Sequence, residues 1–253
     1  MDLQLTGKTA LVTGATSGIG RGIALALGRE GVRLAIAGRN AAQLAQVADE
    51  IVATGASRPE TVTGDLAQPD GPARVHAAAL GALGSISVLV NNAGGSRPQP
   101  AAGAEPYWDE AFALNFTAAR RLAEASLPAM RAARWGRVIN ISGALAQKSV
   151  NAATPAKAAL LSWSRSLAAE VARDGITVNC VAPGRIMSAQ ITERLYPTEA
   201  ARAAFVAENI PIGRFGEPAE LAALVAFLAS PLAGYITGCS IPVDGGMFRL
   251  SLQ

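Results

Sequence analysis

The chain of 253 residues is poor in the side chains from which many sites are built. It has two cysteines, one histidine and three tyrosines, and aromatic residues make up 5% of it. Cys180 and Cys239 are too few for a disulfide framework or a cysteine-rich metal centre. Both fall on or beside core strands, where cysteine acts as a small hydrophobe. The lone His76 leaves no partner for a histidine metal site or a serine–histidine pair, and it is expected at the surface. Long apolar runs are missing as well. None reaches the roughly 18 residues that a membrane span needs. Met1–Lys8 lacks the basic-then-apolar layout of a secretory signal. The net charge is only +3, with no basic run and no interleaved aromatics. A cytoplasmic protein is expected, with no metal, no membrane and no nucleic acid among its partners.

What is present argues for a folded enzyme-sized domain. Half of the residues are hydrophobic and 16% are charged, which excludes disorder. The length suffices for a sizeable core. Short apolar runs alternate with helical ones along the chain. Strands are expected at Thr9–Thr13, Arg33–Ala37, Glu60–Thr63, Ser87–Asn91, Arg137–Ile141, Ile176–Val181 and Ser240–Val243. Helices are expected at Ile19–Glu30, Ala41–Ala53, Ala67–Leu80, Tyr107–Arg131, Pro155–Arg173 and Pro218–Ala229. The alternation predicts an α/β fold: one domain over residues 1–253, a doubly wound parallel sheet in a Rossmann-type three-layer sandwich. Residues 185–216 interrupt it without strand pattern and form a candidate lid.

The first strand runs into Thr13-Gly14-Ala15-Thr16-Ser17-Gly18-Ile19-Gly20, where a helix opens. Glycines let backbone approach a pyrophosphate, and the helix N-terminus offers free N–H groups and positive dipole to it. Strand, glycine spacing and helix agree with a nucleotide site; a structural β-to-α turn is the alternative. Further along stand Asp65-Leu66, Asn91-Asn92-Ala93-Gly94, Asn115, Ser142, Lys157, Pro183-Gly184 and Asp244-Gly245-Gly246. In this order and spacing the chain resembles the short-chain dehydrogenase/reductase family over nearly its whole length. The resemblance implies that Gly14, Thr16, Ser17, Gly18, Ile19, Gly20, Asp65, Leu66, Asn91, Ala93, Gly94, Pro183, Gly184 and Ile186 contact a nicotinamide dinucleotide. It implies catalytic places for Asn115, Ser142 and Lys157, with Lys157 also holding the nicotinamide ribose. The alternatives are a satisfied core asparagine, a strand-ending hydroxyl and a snorkelling helix lysine.

The second strand ends in Ala37-Gly38-Arg39-Asn40. An acid there would bond a ribose 2′-hydroxyl, as is usual in NAD enzymes; none is present, and Arg39 suits a 2′-phosphate. NADP(H) is the expected cofactor, with a solvated surface arginine as the other reading.

The family's acid/base tyrosine lies four positions before its lysine, where this chain has Ala153. Tyr107, Tyr196 and Tyr235 are remote in sequence. Thr154-Pro155 reads as an N-cap followed by proline at the first helical position, with the threonine hydroxyl partly spent on capping. General acid/base catalysis contributes about 10²- to 10⁴-fold, whereas positioning a hydride donor contributes about 7–11 kcal/mol. Losing the acid therefore need not abolish turnover, but it should slow ordinary ketone reduction severely. Three routes stand open: another donor, such as a water held by Ser142 and Lys157 or a group on the substrate; an acceptor needing little acid; or cofactor binding without redox chemistry.

The substrate end is less defined. Residues 143–150, 95–106 and the lid candidate are expected to line the pocket. Leu145, Trp108, Met187 and Phe205 are candidate walls, and Gln147 and Gln190 candidate polar contacts. The Ala- and Leu-rich helices at 107–131 and 155–173 suit close pairing, and the resemblance implies a homotetramer, with a dimer as second choice. The expected activity is NADP(H)-dependent hydride transfer to or from a small or medium carbonyl/alcohol pair by a tyrosine-independent route. The alternatives are an NADP(H)-binding protein without turnover, and a lyase or isomerase reusing the pocket.

Overall fold

The computed structural model describes residues 1–95, 104–143 and 150–247. β1 (Thr9–Thr13) is buried along its full length, which suits an apolar strand covered on both faces. It joins β2 (Arg33–Gly38), β3 (Glu60–Thr63), β4 (Val88–Asn91), β5 (Gly136–Ile141), β6 (Ile176–Pro183) and β7 (Ser240–Val243). The seven strands form one sheet in the order β3-β2-β1-β4-β5-β6-β7. Every pairing is parallel. This is the expected α/β architecture, and the order reverses between β1 and β4, where such sheets open a crevice at their carboxyl edge.

Side chains alternate between two helical layers. Val12, Ile36, Val90, Ile139 and Val181 pack with α1 (Gly18–Arg29), α2 (Ala41–Ala53) and α8 (Pro218–Ala229) through Ile23, Leu27, Leu44, Val47, Leu221 and Val225. On the other face, Leu11, Leu89, Val138 and Val178 meet α3 (Gly71–Leu83), α5 (Ala118–Ala133) and α6 (Ala153–Val171) through Val75, Leu83, Leu122, Leu127, Leu167 and Val171. Among the described residues no helix is long and apolar enough to cross a membrane.

Several boundaries differ from the sequence reading. The helix expected from Ala67 starts at Gly71, because Pro69 disfavours helical backbone before it; Gln68 N instead closes a turn onto Asp65 O at 3.2 Å. The long helix expected at 107–131 is two helices, α4 (Glu105–Phe112) and α5, joined by a π turn at Ala113–Thr117. α6 starts at Ala153 rather than Pro155, so Thr154 is inside the helix and is not its cap. Asn151 acts there instead: its Oδ1 accepts a hydrogen bond from Ala153 N at 2.9 Å. The 185–216 segment carries a second π turn (Gln190–Leu195) and α7 (Glu199–Asn209). Ile191, Ile210 and Phe215 form a small core of their own there, with Tyr196 and Phe205 packed against it. Cys180 is buried, but Cys239 is exposed. His76 is half-buried rather than at the surface, and burial lowers its pKa.

Candidate active site

The glycine turn is built as a cradle. Gly14 has φ +64°, and a Cβ there would lie 2.8 Å from Ala93 Cα. A Cβ on Gly20 would collide with Gly14 O and with Asn92 Nδ2. Ser17, at the N-cap of α1, makes no capping bond with its side chain. The helix thus opens toward the crevice with first-turn N–H groups available to an anion. Two side chains lock the turn to the neighbouring strand. Asn92 Nδ2 donates to Thr13 O and Gly14 O, each at 3.0 Å. Thr13 Oγ1 accepts from Asn92 N and Ala93 N, each at 3.1 Å. Neither residue carries a signal of this role along the chain. The short spacing of the Asn92 motif gave no sign that its amide serves a turn nearly eighty residues earlier.

Arg39 and Thr16 line an open cleft of about 580 Å³ with Asn40, Ala41, Ala42 and Gln43. This cleft lies at the start of α2, where Asn40 Oδ1 accepts from Gln43 N at 3.1 Å. Asp65 Oδ1 accepts from Ala67 N at 3.0 Å, and Leu66 is buried in the core beside Val62 and Val75.

A second cleft, of about 290 Å³, is lined by Ile19, Asn92, Gly94, Pro183, Asn115, Ser142, Ala153, Thr154, Lys157 and Gln190, among others. It brings together residues spread over more than 170 positions. Asn115 sits in the π turn and is 2% exposed. Its Nδ2 donates to Ala111 O at 2.9 Å and to Gly95 O at 3.0 Å, and its Oδ1 accepts from Gly95 N at 3.2 Å. The distorted turn thus explains a mid-helix asparagine, and π turns recur at functional sites. Ser142 directly follows β5 and is buried; its Oγ donates to Val181 O at 3.2 Å. Lys157 lies one turn into α6 and its Nζ donates to Ile141 O at 2.6 Å. Desolvation of this ammonium lowers its pKa to about 8, against a weaker opposing effect of Cys180.

Asn91 is not in this cleft. Its Nδ2 donates to Asn140 Oδ1 at 2.8 Å and to Ala119 O at 3.3 Å, tying β4 to β5 and α5 in the interior. Gly184 N donates to Val243 O at 2.9 Å, and Met187 N to Gly216 O at 2.7 Å, so Gly184 and Ile186 lead the chain from β6 into the 185–216 segment along β7 and residue 216. Leu145 and Gln147 lie outside the described residues. Tyr235 is fully exposed, and Tyr196 packs on Phe205 with ring centroids 4.5 Å apart.

The comparisons with known proteins agree with this geometry. A family model described as enoyl-(acyl carrier protein) reductase matches residues 14–248. The chain is 38% identical to the 3-oxoacyl-(acyl-carrier-protein) reductase FabG of Pseudomonas aeruginosa, over 97% of this chain and 99% of that one. It superposes with a TM-score of 0.93 and 32% identity on the L-sorbose reductase of Gluconobacter frateurii complexed with NADPH and L-sorbose, covering 99% and 100% of the two chains. The RhlG/NADP active-site complex of Pseudomonas aeruginosa gives 0.88 and 36% over 97% and 98%. Matched almost end to end in both sequence and fold, the chain belongs to the short-chain dehydrogenase/reductase family of oxidoreductases.

Proposed function

We propose that the protein is an NADP(H)-dependent oxidoreductase that moves hydride between the nicotinamide and a small or medium carbonyl/alcohol substrate without a tyrosine. One observation carries this reading. The cleft that holds Ser142, Lys157 and Asn115 is also walled by Ile19, Gly94 and Pro183, so the dinucleotide side and the catalytic side share one space. The residues fit a dinucleotide: Gly14 and Gly20 let the turn pack without side chains against Asn92 and Ala93, where a Cβ would collide, and the first turn of α1 keeps its N–H groups for the diphosphate. Bound there, the dihydronicotinamide supplies the hydride. Arg39, in the cleft at the start of α2, would grip a 2′-phosphate with its charged fork. The NADPH and NADP bound by the two solved relatives support the same preference.

The chain's own groups then divide the work. Ser142 would hold the substrate oxygen. Lys157 would hold the ribose and, with a pKa near 8, carry a proton at neutral pH while giving it up more readily than an ordinary lysine. Asn115 would fix the loop at Gly95 against the helix behind it. Where the resemblance implies the family's tyrosine, this chain has Ala153, which lines the cleft. The proton therefore comes by another path, through water between Ser142 and Lys157. The segment 185–216 would cover the mouth, to which it contributes Gln190.

The test has two parts. In fluorescence titration NADPH should bind at least about 10-fold more tightly than NADH, and Arg39→Asp should reverse the order. Ala153→Tyr should raise ketone reduction by about 10²-fold or more. Equal affinity for both dinucleotides would overturn the NADP(H) assignment. Tight NADPH binding with no acceptor reduced, before and after the tyrosine is restored, would leave binding without turnover as the function.

A further inference from the structure

Thr154 stands in the wall of the catalytic cleft, between Ala153 and Lys157 on the first turn of α6. Its hydroxyl oxygen is shut off from solvent and has no hydrogen-bond partner. A threonine early in a helix ordinarily spends that oxygen as a cap or on a carbonyl one turn back. Here Thr154 lies inside α6, past the N-cap Ala152, and Asn151 Oδ1 takes the Ala153 N–H, so the Thr154 hydroxyl has no capping role. The other groups of the cleft differ from it: Ser142 Oγ, Asn115 and Lys157 Nζ each have a protein partner. Buried polar groups are nearly always bonded to protein or to ordered water. In this rotamer the oxygen does not open onto the cleft, but the cleft, at about 290 Å³, has room for water at about 30 Å³ per molecule once the hydroxyl turns toward it. The side chain can also turn, because threonine in a helix divides between two χ1 wells.

We propose that Thr154 is a positioning residue for the proton: turned toward the cleft, its hydroxyl anchors a water beside Ala153, and this water passes a proton from the Lys157 ammonium to the substrate oxygen held by Ser142. The inference rests on the roles assigned above to Ser142 and Lys157. The step balances as follows. Hydride from a bound dihydronicotinamide would reach the carbonyl carbon while the π pair of the C=O bond moves onto oxygen. That oxygen takes one proton from the water. The water takes one from Lys157 Nζ, and solvent later restores it. Thr154 makes and breaks no covalent bond; it fixes the water where a larger side chain at 153 would exclude it.

Crystals that resolve ordered waters, grown without substrate from the wild type and from Thr154→Val and Thr154→Ser, test the anchor directly. A water within hydrogen-bond distance of Oγ1 is expected in the wild type and in Thr154→Ser, and is expected to be lost in Thr154→Val; Thr154→Ala replaces valine if valine disturbs the helix. In the NADPH-saturated enzyme with ethyl acetoacetate as probe, kcat should fall by about 10- to 10²-fold in Thr154→Val and recover in Thr154→Ser. The NADPH dissociation constant should not change. A wild-type crystal in which Oγ1 bonds only protein, or a valine variant with undiminished kcat, overturns the proposal. Failure of the wild type to bind NADPH or to reduce the probe counts against the oxidoreductase reading instead, and the crystals alone then decide the water.

Discussion

Lys157 shows how one side chain acquires chemistry from its surroundings. Its ordinary pKa of 10.5 falls to about 8 because the ammonium leaves water for a carbonyl of β5 and the packed strand ends. Two consequences follow with opposite signs. Between about 8 and 10.5 the folded chain binds fewer protons at this position than the unfolded chain does, so this residue makes stability rise with pH across that window. Reduction that draws its proton from the ammonium should fall over the same rise, with a midpoint near pH 8. A kcat profile that is flat from pH 7 to 9.5 would remove Lys157 from the proton path; Lys157→Gln should abolish the inflection. Lysine, serine and asparagine were each readable as candidates from their order along the chain. The pKa was not, because it depends on burial by residues distant in sequence.

At the scale of elements, two local distortions make the site. One is the π turn at Ala113–Thr117, which sets Asn115 between Ala111 O and the loop at Gly95. Asn115→Leu removes three hydrogen bonds from a buried position and should lower stability by about 2–4 kcal/mol, read from urea unfolding. An unchanged midpoint would show that the turn is held by packing alone. The other is the glycine cradle. Gly20→Ala forces a methyl group against Gly14 O and the Asn92 amide, and should cost at least about 10² in NADPH affinity even where the variant folds. Wild-type affinity in that variant would show that the turn lies elsewhere than beside the diphosphate. Helical periodicity located the segment around Asn115 but ran through it as a single helix, since one extra residue in a turn scarcely alters an apolar pattern. Likewise Thr154-Pro155 carried a convincing capping signature, but the N-cap falls at Ala152, and Asn151 bonds the Ala153 N–H from just upstream.

For the whole molecule, the parallel order β3-β2-β1-β4-β5-β6-β7 gathers the carboxyl ends of β1, β4, β5 and β6 on one edge. This is why a turn at 14–20, a loop at 92–95 and helix residues near 115 and 157 come to share a cleft. A homotetramer is the expected assembly, and light scattering should give four times the chain mass of 25.8 kDa. A monomer at micromolar concentration would refute it. The α/β class, the seven strands, most of the helices and the glycine turn were fixed locally, by period-two and helical spacing and by the geometry that glycine alone permits. The likeness in motif order also marked Asn115, Ser142 and Lys157 in advance. What the linear chain could not decide was contact: that Asn92 and Thr13 clamp the glycine turn, that Asn91 is spent in the interior on Asn140, and that a threonine beside the lysine has a hydroxyl without a partner. Such facts depend on which atoms the tertiary fold leaves satisfied. Satisfaction is a property of neighbours in space, whereas periodicity and turn chemistry are properties of neighbours along the chain.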